Sequence, residues 1–93
     1  MMSVYTYVVT DQLINRKPCK LLSVIVSTQG GGPGIVKVYD SRSANPPDLV
    51  LNLLGYGNHT DQFRFDGLEF QKGLYIELVE KADFVTVEWE SVN

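Results

Sequence analysis

The stretch Phe84-Val85-Thr86-Val87-Glu88-Trp89-Glu90 decides the fold. Successive side chains of an extended strand point to opposite faces, so this alternation sets Val85, Val87 and Trp89 on a buried face. Thr86, Glu88 and Glu90 fall on a solvated one. The same period-two pattern recurs upstream. Leu74, Ile76 and Leu78 stand opposite Tyr75, Glu77 and Val79, and Val36 and Val38 stand opposite Lys37 and Tyr39. Val4 to Thr10 and Leu49 to Leu54 add two segments of high β-propensity. Leu21 to Ser27 is nearly all apolar, the pattern expected of a central strand covered on both faces. Phe63–Phe65 and Leu68–Phe70 read as two short pieces separated by Asp66-Gly67, a hairpin or bulge signal.

The connecting segments are equally legible. Asp11 to Lys20 is a polar connection from which Leu13 and Ile14 dip toward the core. Gly30-Gly31-Gly32-Pro33-Gly34 and Gly55-Tyr56-Gly57-Asn58 are turns, and Ser41 to Asp48, with Asn45-Pro46-Pro47, is a long loop. No window of a dozen residues carries a helical stripe. The chain is therefore read as all-β: an antiparallel β-sandwich of jelly-roll or immunoglobulin-like type, with about seven to eight short strands.

Composition narrows the function classes. Ninety-three residues form a single domain, 1–93, with 44% apolar and 20% charged residues, the profile of a globular chain. No apolar run approaches the roughly 20 residues of a membrane-spanning helix, and no basic-then-apolar signal pattern occurs, so no membrane partner is expected. The net charge of −3 is uneven: residues 1–60 carry three acidic and five basic side chains, residues 61–93 eight acidic and three basic. The one basic cluster, Arg16-Lys17-Pro18-Cys19-Lys20, is too small in an acidic chain to point to nucleic acid.

Catalytic and metal chemistry find few residues to work with. Cys19 is the only cysteine and His59 the only histidine, which leaves no disulfide and too few soft ligands for zinc. The glycines at 30–34 run into the strand Ile35-Val36-Lys37-Val38 and lack the Lys-Ser/Thr of a phosphate loop. Asp61, Asp66 and Glu69 flank Phe63-Arg64-Phe65 without the arrangement of a glycosidase pair or a calcium loop, and Arg64 is their natural partner. Asn58-His59-Thr60 matches a glycosylation sequon by chance, and Cys19 reads as structural. The chain is expected to be neither an enzyme nor a cofactor or metal binder.

Tyrosine carries the functional signal. Tyr5, Tyr7, Tyr39, Tyr56 and Tyr75 dominate the aromatics, and Tyr39 and Tyr75 fall opposite the predicted core. A ring of large apolar area with a polar tip suits protein interfaces. Residues 1–10 form an N-terminal strand suited to pairing with a neighbouring subunit, which makes Val4, Tyr5, Tyr7, Tyr39, Tyr56 and Tyr75 the candidate partner contacts. A competing reading, a glycan- or receptor-binding module, requires Tyr56, His59 and Asp61 to converge at one end of the sandwich, with Trp89 an optional fourth whose inward position counts against it.

The order of features also resembles a known group. Leu-Leu-Ser-Val-Ile-Val at 21–26, a Gly-rich turn, Val-Lys-Val-Tyr-Asp at 36–40, Phe-Asp-Gly-Leu-Glu-Phe-Gln-Lys-Gly-Leu-Tyr-Ile at 65–76 and Phe-Val-Thr-Val-Glu-Trp at 84–89 follow one another. Across roughly residues 20–90 this is similar to small β-sandwich virion structural proteins of tailed bacteriophages. The resemblance implies a non-enzymatic capsid decoration or cement protein, homo-oligomeric and preferably trimeric, whose partners are the major capsid protein or other virion proteins. It also implies residence in the virion after assembly in the host cytoplasm. A tail or baseplate accessory is the alternative placement. It further implies that Gly73-Leu74 opens a core strand under backbone constraint, and that Asp40 caps the turn following its own strand.

Overall fold

The computed structural model describes residues 3–28, 33–56, 60–80 and 82–92, without the side chains of residues 33, 56, 80, 82 and 83. Eight strands follow in order: β1 Val4–Val8, β2 Gln12–Asn15, β3 Cys19–Thr28, β4 Pro33–Tyr39, β5 Leu49–Tyr56, β6 Thr60–Phe70, β7 Leu74–Glu80 and β8 Ala82–Ser91. A 3-10 turn, Pro46–Asp48, precedes β5. The strands form two antiparallel four-stranded sheets in the orders β1-β8-β3-β6 and β2-β7-β4-β5. First pairs with last, second with seventh, third with sixth and fourth with fifth, as in one long hairpin. The added pairs β3·β8 and β4·β7 wrap that hairpin into a sandwich. This connectivity is a jelly roll, the first of the two sandwich types expected.

The core between the sheets follows the alternation. Val8, Val24, Val85 and Val87 of the first sheet meet Val36, Val38, Leu74 and Ile76 of the second, all fully buried. Trp89 packs inward against this cluster, and its indole N–H donates to Thr6 Oγ1 at 3.0 Å. A ring that size with an unpaired N–H would cost more inside than outside; the Thr6 hydroxyl removes that cost.

Three expectations need correction. Asp11 to Lys20 is not a plain connection, because Gln12–Asn15 forms the edge strand β2 against β7. Four residues of which only two are apolar give too short a pattern to announce a strand. The piece 60–70 is one strand rather than two: Gly67 adopts φ 71° and the register with β3 jumps between Leu21↔Leu68 and Ser23↔Arg64, a bulge opposite Leu22. That bulge also explains the apolar run 21–27. Leu21 points inward on one side of Leu22, while Val24 and Val26 point inward on the other. The alternation changes phase, so the run looks continuous although only one face of β3 meets the second sheet.

Pro33 and Gly34, read as turn, begin β4, and Gly55 and Tyr56 end β5. The remainder of those turns, Gly30 to Gly32 and Gly57 with Asn58, lies outside the described residues. Strand β1 pairs with β8 of its own chain, from Val4↔Trp89 to Val8↔Val85. It needs no neighbour to complete it, yet as the edge strand it keeps its second backbone edge open.

Candidate functional site

Two outward rows of side chains, one on each sheet, hold three of the six candidate contacts, Tyr5, Tyr39 and Tyr75. Across the first sheet the register sets Tyr5, Glu88, Ser23 and Arg64 side by side on β1, β8, β3 and β6. Glu88 is the hub. Its carboxylate accepts from Ser3 Oγ at 3.0 Å and Ser23 Oγ at 3.1 Å, and Tyr5 is hydrogen-bonded to it. Partial desolvation pushes the Glu88 carboxyl upward, but the bonds from Ser3, Ser23 and Tyr5 and the Arg64 charge outweigh it, leaving a net lowering. The same bond, with the negative charge beside it, raises the Tyr5 phenol. Tyr5 is 63% exposed and Tyr7 60%, and the Tyr7 ring leans on Phe84 at 5.4 Å between centroids. Val4 is also exposed.

Across the second sheet the corresponding row is Leu13, Tyr75, Tyr39 and Leu49 on β2, β7, β4 and β5. Tyr39 is only 4% exposed. Its ring meets Tyr75 edge-on at 6.3 Å, and its hydroxyl donates to Glu77 Oε1, a diagonal neighbour, at 2.6 Å. That bond, with burial and the Glu77 charge, raises the phenol to about 12. A partner cannot reach Tyr39, so its candidacy as a contact is withdrawn: lateral neighbours on both sides cover a central-strand tyrosine. Tyr75 is half-buried. A second row, Val79, Ile35 and Leu54, extends the apolar surface to the exposed Leu54 on edge strand β5. Leu49 and Val50 continue it there.

Of the residues named for a glycan site, only Asp61 and Trp89 have described side chains, and these two lie apart. Trp89 points inward beside Leu21, and half-buried Asp61 lies opposite Val26. In register Val26 meets Val85, four residues from Trp89 along β8, or about 13 Å at the usual rise. His59 and the Tyr56 side chain lie outside the described residues. Arg64, expected among the acidic residues of β6, instead lies in the field of Glu88. Among the described residues no group of three or more His, Cys, Asp or Glu could hold a metal, and no helix is long and apolar enough to cross a membrane. Cys19 is fully buried, and desolvation raises its thiol against an opposing bond from Asn15, so it is held in the unreactive form.

Asp40 does not cap the turn that follows its own strand. Its Oδ1 accepts from the backbone N–H of Gln71 and Lys72 at 3.0 and 2.8 Å, clasping the β6–β7 turn some thirty residues away. Gly73 is constrained as expected: a Cβ there would stand 2.8 Å from the Ser41 carbonyl oxygen. The basic loop at 16–20 also divides. Lys20 lies on β3 between Glu69 and Glu90, whereas Arg16 and Lys17 join Arg42 and Lys72 from two other loops. Sequence spacing held no sign of that gathering.

The fold and surface thus define an eight-stranded jelly roll with exposed aromatic and aliphatic side chains at opposite edges. No family model matches the chain, and neither a curated protein nor a solved structure does.

Proposed function

We propose that this chain is a non-enzymatic structural protein of a bacteriophage particle, a decoration protein that stabilises the capsid through repeated contacts with copies of itself and with the major capsid protein. The observation that carries the reading is the pair of exposed apolar edges. Tyr5 and Tyr7 stand outward on β1, and Leu49, Val50 and Leu54 stand on β5. These strands are edges of different sheets, and the packing of β3 on β4 and β5, and of β8 on β4 and β7, sets them on opposite flanks of the sandwich. Two unlike patches on opposite flanks suit a head-to-tail contact, which closes into a ring. A three-membered ring is the preferred assembly. A standard interface takes about 800 Å² from each partner, and the molecule's broad face, 41 by 27 Å, accommodates that area. Jelly rolls recur in viral capsids, which supports the reading by analogy of fold.

Quantitative mass spectrometry of density-purified particles from the phage encoding the chain tests this. Hundreds of copies per particle are expected. A few dozen would move the protein to the tail or baseplate, and absence would overturn the virion reading. In the purified protein, Tyr5→Ser with Tyr7→Ser, or Leu54→Asp alone, is expected to reduce the sedimenting species to monomer. Unchanged sedimentation in both variants would refute the edge-to-edge ring.

A further inference from the structure

Three loops meet at one end of the sandwich. Arg42 Nε donates to the Arg16 carbonyl oxygen at 3.2 Å, joining the β4–β5 connection to the β2–β3 loop. Asp40 joins the same connection to the β6–β7 turn through the amides of Gln71 and Lys72. Gly73 sits where all three approach most closely, with the Ser41 and Asn15 carbonyl oxygens 2.8 and 3.1 Å from the position of a Cβ. Over this floor lies a depression of about 430 Å³ lined by Arg16, Lys17, Ser41, Arg42, Gln71 and Lys72. Its size falls within the range of small-ligand sites.

The charges around the depression do not cancel. Lys72 Nζ pairs with Asp48 Oδ1 at 2.8 Å, and Asp40 spends one oxygen on two backbone amides. Arg16, Lys17 and Arg42 have no carboxylate partner among the described residues. Four cations and no carboxylate therefore line one concavity, with only Lys72 paired to a carboxylate beside it, in a chain whose net charge is −3. Like charges gathered on a tied-down floor repel one another, and an anion between them removes that repulsion. The Arg42 guanidinium is oriented by the bond from its Nε, which leaves its terminal nitrogens as a planar fork suited to two oxygens of one anion.

We infer that this depression binds a compact oxyanion, the phosphate or sulfate ester group of a small ligand. Arg42 is the forked anchor, and Arg16, Lys17 and Lys72 supply the surrounding charge. An extended polyanion is disfavoured, because the last 21 residues, beyond Lys72, carry five acidic side chains against one basic. The inference is independent of the proposed virion role.

Amide-resolved NMR titration at constant ionic strength tests it, with inorganic phosphate, glucose 6-phosphate and galactose 6-sulfate as probes and chloride as control. Saturable shifts confined to the amides of residues 16–17, 41–43 and 71–73 are expected for at least one ester, and the stronger ester identifies the source. Arg42→Ala is expected to weaken binding at least tenfold and Arg42→Lys severalfold, since an ammonium lacks the fork. Exposed Lys17→Ala, which leaves the loop ties in place, is expected to weaken it about threefold, and Lys37→Ala on the second sheet not at all. Shifts that fail to saturate, that spread over every lysine or that match chloride would overturn the site. Tighter binding of a 12-base-pair duplex than of either ester at the same amides would overturn the compact-ligand assignment.

Discussion

The two outward rows begin from the same sequence signal and end differently. Tyr5 on the first sheet and Tyr39 and Tyr75 on the second all occupy strand positions facing away from the core. Tyr5 stands on an edge strand, has a neighbour on one side only, and leaves 63% of its surface in water. Tyr39 stands on β4 between β7 and β5, and Tyr75, Leu49 and the diagonal Glu77 close over it. Outward orientation alone does not make a side chain available to a partner. The number of strands flanking it decides, because cross-strand neighbours lie about 5 Å away and long side chains cover what lies between them.

Truncating each tyrosine breaks this comparison most severely. Tyr39→Ala is expected to cost about 3 kcal/mol, as loss of a buried aromatic ring does. Tyr7→Ala, which gives up an exposed ring and its contact with Phe84, is expected to cost about 0.5 kcal/mol. Urea denaturation of the two variants measures the difference. Equal losses would show that the two faces are covered alike.

A finer cut removes only the hydroxyl. Tyr39→Phe strands one oxygen of Glu77 and is expected to cost about 1.5 kcal/mol, the scale of a hydrogen bond to a charged acceptor. The effect carries a pH signature. The Tyr39 phenol titrates near 10 when unfolded and about 12 in the fold. Above pH 10 the unfolded chain releases a proton that the folded chain holds, so this contribution is complete below pH 10 and is lost as pH rises toward 12. Unfolding midpoints measured between pH 8 and 11 are expected to fall more steeply for the parent chain than for Tyr39→Phe.

How much of this was legible in the sequence depends on phase. Where alternation runs unbroken, as in Val85-Thr86-Val87-Glu88-Trp89, both the strand and its buried face are read correctly. Where a bulge shifts the phase, at Leu22 and at Asp66-Gly67, local pattern makes one strand look like two and makes a strand that meets the second sheet on one face look covered by sheets on both. Exposure of Tyr5 and burial of Tyr39 depend on lateral neighbours far away in the chain, which local pattern does not encode. The gathering of Arg16, Arg42 and Lys72 arises from three loops separated by at least twenty-five residues each, so only the topology reveals it. The Asp66-Gly67 signal itself is testable. Gly67→Ala places a Cβ at φ 71° and is expected to cost about 1 kcal/mol, against negligible loss for the neighbouring exposed Asp66→Ala.

The smallest expected effect concerns the first row at acid pH. Glu88 holds its charge through Ser3, Ser23, Tyr5 and Arg64 against partial desolvation, so its folded carboxyl titrates below the unfolded one. Such a group contributes stability above the ordinary glutamate range, and that contribution is lost as pH falls through the folded value. Glu88→Gln keeps the shape and removes the titration. Its midpoint is expected to lie below that of the parent at pH 7, and the two are expected to converge toward pH 3. Both profiles keep an acid slope, because Asp48, lowered by Lys72 and Asn45, has its own acid dependence in both proteins. Parallel pH profiles for parent and variant would show that the hydroxyls around Glu88 serve the carboxyl and the amide equally, and that the exposed tyrosine row is held by packing on β8 rather than by charge.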